Sequence, residues 1–191
     1  MDRPLLRHVF YRLRAGSITV VSPFKKHLSK TKESLALLQK INRKAFNEVQ
    51  KLKDILIYPG TTELGCLFEK EKIYINQPKH IDQSSVIWWA STILHEAWHL
   101  HQYTDSPDMT NGRAEYGAYR VQRKFLMKAK AITEVQWLDK MQKAQWWKGD
   151  DTSFKKQIGY NNDARNTTQR EFEQFIKLYK QHKLTIKDLN I

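Results

Sequence analysis

Residues 86–103 read VIWWASTILHEAWHLHQY, and this stretch decides the fold. Its first half is apolar at most positions, which predicts a single α-helix over Val86–Tyr103 that is buried at the centre of the molecule. Ser84 or Ser85 is the expected N-cap, because a serine hydroxyl can accept a hydrogen bond from a free amide of the first helical turn. We therefore expect the other elements to be arranged around this helix.

The second half of the helix contains the pattern H-E-x-x-H, as His95-Glu96-Ala97-Trp98-His99. Residues four apart on an α-helix differ by about 40° in direction and about 6 Å in height, so the two imidazoles project from one face and can bind one metal ion. Two surface histidines would show the same spacing, but this helix is too apolar for that interpretation. Glu96 is expected to act as a general base, since it can reach a water on the metal without ligating the metal itself. Zn²⁺ is the expected ion, because two neutral imidazoles and one carboxylate with an open fourth position match its catalytic coordination.

Three residues compete for the role of third ligand. Glu115 is favoured, because it follows the Asn111-Gly112 turn and a helix that returns after a short loop brings its first turn beside the motif. Its alternative role is that of a glutamate stabilised by the helix dipole at an N-terminal turn. Asp105 lies six residues after His99, where the helix is ending and a tight turn can fold it back. His101 lies about 200° around the helix from His99 and faces away from the site if the helix continues.

At this point the sequence resembles the gluzincin metallopeptidases, in which a Glu on the helix after the H-E-x-x-H helix is the third zinc ligand. The run Glu115-Tyr116-Gly117-Ala118 is similar to their E-x-x-A-D segment, although position 119 is Tyr where that pattern has Asp. The carboxylate that would orient a ligating His is thus missing from its usual place. The resemblance covers about residues 64–125 and implies a zincin-like fold, with the edge strand of a small sheet above the motif helix.

The remaining patterns predict an α+β fold, with a small antiparallel sheet of about three strands packed on the motif helix and a helical C-terminal part. Period-two runs and turn signals predict strands at 9–14, 18–21, 55–58, 64–68 and 73–75, with one hairpin joining 9–14 to 18–21 and a second joining 64–68 to 73–75. Amphipathic periodicity predicts helices at 32–52, 113–130 and 133–147, and the capping-box sequence Thr168-Gln169-Arg170-Glu171 predicts the start of another. We expect a zincin-like metallopeptidase domain at 1–130, with its core at about 55–130, and a helical extension at 131–191 packed on it.

The net charge of +13 is distributed unevenly along the 191 residues. Residues 1–60 carry 13 basic and 4 acidic side chains, residues 61–112 carry 3 and 7, and residues 113–191 carry 17 and 9. Basic flanks of this kind attract nucleic acid, anionic lipid or acidic protein, although solvated lysines on helix surfaces give the same composition. The chain lacks the zinc-finger spacing, RNA-binding aromatic signature and dense basic block that are typical of a nucleic-acid reader.

Several features predict a cytoplasmic protein without a membrane span. The longest apolar run, at 86–94, is about half of the roughly 20 residues that a spanning helix needs. Charged residues interrupt the first ten positions before an apolar stretch of signal-peptide length can form. The single cysteine, Cys66, has no partner for an internal disulfide and is interpreted as a small buried apolar residue.

Taken together, the residues indicate a zinc-dependent metallopeptidase, a hydrolase in which His95, His99 and Glu115 hold Zn²⁺ and Glu96 activates the water that attacks a peptide or protein substrate. The alternative is a zincin-derived module that keeps the metal for structure and binds nucleic acid or an acidic protein through its basic flanks. Glu96 favours the enzyme, because a purely structural site has no use for an unligated carboxylate there. An amidase or deacylase would use the same chemistry and is not separated from a peptidase by sequence.

Several tyrosines near the motif are candidates to stabilise the oxyanion of the reaction. A tyrosine hydroxyl can donate a hydrogen bond to the oxyanion that forms when a carbonyl is attacked. Tyr103, Tyr116 and Tyr119 are all candidates, and the sequence does not choose among them. The six tryptophans are interpreted as core or interface residues.

Overall fold

The computed structural model describes residues 8–59, 65–105, 111–142 and 162–189 and confirms an α+β fold. The described strands are β1 (Val9–Ala15), β2 (Ile18–Ser22), β3 (Asp54–Ile57), β4 (Cys66–Phe68), β5 (Ile73–Asn76) and β6 (Thr185–Asp188). The described helices are α1 (Lys25–Ile41), α2 (Arg43–Val49), α3 (Pro78–Gln83), α4 (Val86–Asp105), α5 (Asn111–Lys128), α6 (Ile132–Gln142) and α7 (Asn162–Lys180). No helix within these ranges combines the length and the apolar character that a membrane crossing requires.

The six described strands form one mixed sheet in the order β4-β5-β3-β2-β1-β6. Both expected hairpins are confirmed, because β1 pairs antiparallel with β2 and β4 pairs antiparallel with β5. The expectation of a small antiparallel sheet of about three strands is wrong, since the β1–β6, β2–β3 and β3–β5 pairs are parallel. Parallel neighbours are joined by long crossovers and leave no local signal in the sequence.

The chain is divided into two compact units that alternate along the sequence. The sheet unit consists of Met1–Glu33, Leu52–Ser84 and Asn161–Ile191, and the helical unit consists of Ser34–Lys51 and Ser85–Tyr160. This division differs from the expected boundary at residue 130, because the last part of the chain returns to the sheet unit and contributes α7 and β6. The sheet and the H-E-x-x-H helix thus belong to different units, and the packing of one on the other stays a prediction.

The core of the sheet unit is formed by the sheet and one face of α7. Phe172, Phe175 and Ile176 of α7 belong to the same buried cluster as Phe10 and Leu56 of the strands. The rings of Phe10 and Phe175 lie 5.5 Å apart between centroids. Cys66 of β4 is only half-buried at the edge of this cluster, so its interpretation as a buried residue is wrong.

Two helix boundaries differ from the sequence prediction for identifiable reasons. The helix expected at 32–52 is two helices, because the side chain of Asn42 accepts a hydrogen bond from the amide of Ala45 (3.3 Å) and begins α2. The expected helix start at Thr168-Gln169-Arg170-Glu171 is wrong, since α7 already begins at Asn162. A Thr and a Glu three residues apart in the interior of a helix give the same sequence pattern as a capping box. The expected end of α6 at 147 lies outside the described residues.

The helical unit is built around α4, as the apolar pattern predicts. α4 packs along α5 and also contacts α2, while α5 packs against α6. Trp89, Ala90 and Ile93 of α4 are fully buried or nearly so. Of the two serines expected as the N-cap of α4, Ser85 is the one that caps it, because its hydroxyl accepts a hydrogen bond from the amide of Trp88 (3.1 Å).

Candidate metal centre

Helix α4 places His95 and His99 one turn apart on the same face, with their ring centroids 5.0 Å apart. Glu115 of α5 lies opposite them and approaches both rings. One carboxylate oxygen is 3.1 Å from Nε2 of His95, and the other is 3.4 Å from Nε2 of His99. One potential ligand atom from each of the three residues lies within 4.8 Å of the others, a spacing that can hold a metal ion.

The approach of Glu115 depends on how closely α5 packs against α4. Ala114 immediately precedes Glu115 and Ala118 follows it by three residues, and both alanines are buried. Small side chains at a helix contact allow the backbones to come close. The amide nitrogen of Gln102 on α4 consequently reaches the backbone carbonyl of Ala114 on α5, to which it donates a hydrogen bond of 2.8 Å.

Helix α5 begins at Asn111, two residues before the expected start, so Glu115 lies beyond its first turn. The influence of a helix dipole falls off within that turn. The alternative role of Glu115 as a dipole-stabilised terminal residue is therefore disfavoured. Of the two rival ligands, His101 is not part of the group, and its ring packs against Trp98 with centroids 4.6 Å apart. The side chain of Asp105 lies outside the described part of the chain, so its candidacy stays a prediction.

The orientation of the His99 ring follows from a chain of hydrogen bonds that ends on a backbone carbonyl. A carbonyl oxygen can only accept, so the amide nitrogen of Gln102 faces Ala114 and its amide oxygen faces His99. This oxygen lies 2.9 Å from Nδ1 of His99. Nδ1 is therefore the nitrogen that carries the proton and donates, and in the neutral ring Nε2 presents a lone pair to Glu115.

The His95 ring is likewise oriented by a series of hydrogen bonds, which is longer than that of His99. The hydroxyl of Ser91 donates to the carbonyl of Trp88 (2.7 Å) and accepts from the amide nitrogen of Gln122 (3.0 Å). The amide oxygen of Gln122 then faces Nδ1 of His95 at 3.2 Å, so Nδ1 donates. Both neutral imidazoles thus direct an Nε2 lone pair toward the carboxylate of Glu115.

Three acceptor groups that converge in a largely buried place require a positive charge between them. The side chains of His95 and His99 are 9% and 8% exposed, and that of Glu115 is 28% exposed. Burial by itself raises the pKa of Glu115, but the adjacent His95 and His99 outweigh it and hold the pKa of this carboxyl well below its usual range. Burial lowers the pKa of His99, but the hydrogen bond and charge of Glu115 raise it overall. Protons on the imidazoles satisfy this demand, and so would a divalent cation.

Glu96 lies beside this group and outside its hydrogen-bond network. It is half-buried, and within the described residues its carboxylate makes no hydrogen bond or ion pair. Burial raises the pKa of Glu96, and the charges of His95 and His99 oppose that effect only in part. A carboxyl group of raised pKa near a polar cluster has the properties of a general base.

The structure distinguishes the three candidate tyrosines by their distance from the histidine rings. The ring of Tyr119 packs edge-on against His95 with centroids 4.6 Å apart, whereas the centroids of Tyr103 and His99 are 6.3 Å apart. Tyr116 instead lies under the guanidinium of Arg120 at 5.8 Å. Burial and the negative charges of Glu115 and Glu96 raise the pKa of Tyr119, so its hydroxyl keeps its proton.

The sequence patterns missed the two glutamines that orient the rings. Gln122 accepts the hydrogen bond of Nδ1 of His95 through the oxygen of a neutral amide. A signal was present in the spacing, because Gln122 follows Glu115 by seven residues, or two helical turns, and shares its face of α5. Gln102 lies three residues after His99, again on the same face.

Comparisons of the chain with protein-family models, with curated proteins and with solved structures find no match. The assignment of a function therefore rests on the geometry of this site.

Proposed function

We propose that the protein is a zinc-dependent metallopeptidase, in which His95, His99 and Glu115 hold the metal and Glu96 is the general base. The observation that carries the proposal is that two Nε2 lone pairs, whose directions are set by hydrogen bonds at Nδ1 of each ring, converge on the carboxylate of Glu115. Nothing but a cation or added protons stabilises three acceptors at this spacing. Zn²⁺ suits the set, since two imidazoles and one carboxylate are a frequent combination at catalytic zinc.

A bound Zn²⁺ would supply Lewis-acid chemistry, polarising the substrate carbonyl and lowering the pKa of water. The protein side chains would perform the proton transfers. The Glu96 carboxylate accepts a proton from the attacking water and delivers it to the nitrogen of the departing amine. Its burial supports this role, because a raised pKa allows the carboxyl to hold the proton between the two transfers.

Tyr119 is the best-placed candidate to stabilise the negative charge that forms on the carbonyl oxygen. It contacts His95 directly, and its raised pKa keeps it neutral and able to donate. A preorganised donor at such a position contributes to catalysis because it faces the charge as it develops.

The test compares wild type with Glu96→Gln in metal content and in digestion of a peptide library. Glutamine keeps the size of the side chain but cannot take a proton, so about one zinc per chain should remain while hydrolysis falls about 10²- to 10⁴-fold. Glu134→Gln is a matched control, because Glu134 is a half-buried glutamate on α6 of the same unit, outside the His95–His99–Glu115 group. Undiminished hydrolysis by Glu96→Gln would refute the proposed role of Glu96.

A further inference from the structure

We infer that the histidine ligands are held in their binding orientation by two neutral glutamine amides, and that Gly117 preserves the space that one of these amides needs. Gln102, Gln122 and Gly117 are thus positioning residues, although none of them belongs to the H-E-x-x-H pattern. The inference rests on the proposed metal centre and extends it to the residues that surround it.

Each of the two glutamines is itself immobilised by hydrogen bonds. Gln102 and Gln122 are 7% and 3% exposed, and each uses both ends of its amide. Gln102 joins Nδ1 of His99 to the carbonyl of Ala114, and Gln122 joins Nδ1 of His95 to the hydroxyl of Ser91. A ring whose Nδ1 proton is held in this way can neither flip nor change tautomer without breaking a buried hydrogen bond.

Gly117 lies one turn beyond Ala114 on α5. A Cβ atom at this position would collide with the amide nitrogen of Gln102, and it would lie 3.6 Å from the indole nitrogen of Trp98. The side chain of Gln102 cannot move away from such a Cβ atom without losing its hydrogen bond to Ala114 or to His99. Glycine is otherwise a poor choice inside a helix, because it destabilises the helix relative to alanine. The space that the Gln102 side chain needs explains why residue 117 is a glycine.

The two glutamines differ in what a carboxylate would do in their place. Glu at position 122 would still accept from His95, and the hydroxyl of Ser91 can turn to donate to its second oxygen. Glu at position 102 would direct its second oxygen at the carbonyl of Ala114, which has no proton to give. A carboxylate also strengthens the ligand that it orients. Gln122→Glu should therefore bind zinc at least as tightly as wild type, and Gln102→Glu more weakly.

The experiment measures zinc affinity by chelator competition and the ligand field by visible absorption of the Co²⁺-substituted protein. Gln102→Met and Gln122→Met keep side-chain volume but remove the acceptor, so each should weaken zinc binding about 10- to 100-fold and change the Co²⁺ spectrum. Gln77→Met is the matched control, since Gln77 is a fully buried glutamine of the sheet unit and should leave affinity unchanged.

A double-mutant cycle isolates the role of Gly117. Gly117→Ala should weaken zinc binding while changing the unfolding midpoint of the metal-free protein only slightly, because the helix preference of alanine offsets the loss of a hydrogen bond of Gln102. In a Gln102→Ala background the clash is gone, so Gly117→Ala should have no further effect on affinity. Equal losses in both backgrounds would overturn the role of Gly117, and wild-type affinity in folded Gln102→Met and Gln122→Met would overturn that of the glutamines. Failure of the wild type itself to bind zinc would instead overturn the proposed metal centre, and this inference with it.

Discussion

Replacement of Glu115 by glutamine tests which residue completes the metal centre. The carboxylate contacts Nε2 of both histidines, at 3.1 and 3.4 Å, and it supplies the negative charge of the three-residue group. Glutamine fills the same volume and can still accept a hydrogen bond, but it carries no charge. The change therefore removes the anionic ligand and leaves the packing of α5 on α4 in place.

The expected magnitude follows from the number of ligands. Structural zinc sites with four protein ligands bind with about 10–16 kcal/mol, or about 2.5–4 kcal/mol for each ligand. Loss of one ligand thus corresponds to about a 10²- to 10³-fold weaker affinity. Glu115→Ala should fall at the upper end of that range, because it leaves no oxygen at the position.

The assay is chelator competition at constant pH, with His101→Ala and Asp105→Ala measured in parallel. Both of these variants should bind zinc nearly as tightly as wild type, since His101 packs on Trp98 and Glu115 already completes the group. Glu134→Gln removes a glutamate charge elsewhere in the helical unit and controls for net charge. Near-normal affinity in Glu115→Gln together with a large loss in His101→Ala or Asp105→Ala would refute the assignment.

Two further predictions concern pH and the core. In the metal-free protein, the lowered pKa of Glu115 contributes stability above pH 4.5, its ordinary pKa, and this contribution is lost as the pH falls. The raised pKa of His99 contributes stability below pH 6.5, its ordinary pKa, and this contribution is lost as the pH rises through the pKa of the folded state. Thermal unfolding from pH 4 to 9 should therefore show a maximum between these limits, and excess zinc should restore stability at alkaline pH; a flat metal-free profile would contradict this. Phe175→Ala should destabilise the protein by about 3–5 kcal/mol in urea unfolding, because it empties a buried contact with Phe10. Phe24→Ala, at a ring that is 43% exposed, should cost far less, and equal costs would contradict the burial argument.

The secondary structure near the site could be predicted because its signals are local. A helical hydrogen bond joins residues four apart, so the spacing of His95 and His99 determines that they share a face whatever the rest of the chain does. The two hairpins were predictable for the same reason, since their strands are neighbours in sequence. The parallel pairing of β1 with β6 joins residues 176 positions apart, such as Arg12 and Asp188, and no local pattern encodes it.

The convergence of the site was decided by tertiary packing. That Glu115 meets both imidazoles depends on the rotation and closeness of α5 against α4, which the buried alanines beside it permit. The same packing brings Gln102 to Ala114 and Gln122 to His95, and so determines which nitrogen of each ring carries the proton. The sequence by itself determined which side chains share one face of one helix, because helix geometry is periodic. Only the tertiary structure decided which groups those side chains meet, because contacts between helices depend on the shapes of all the residues packed between them.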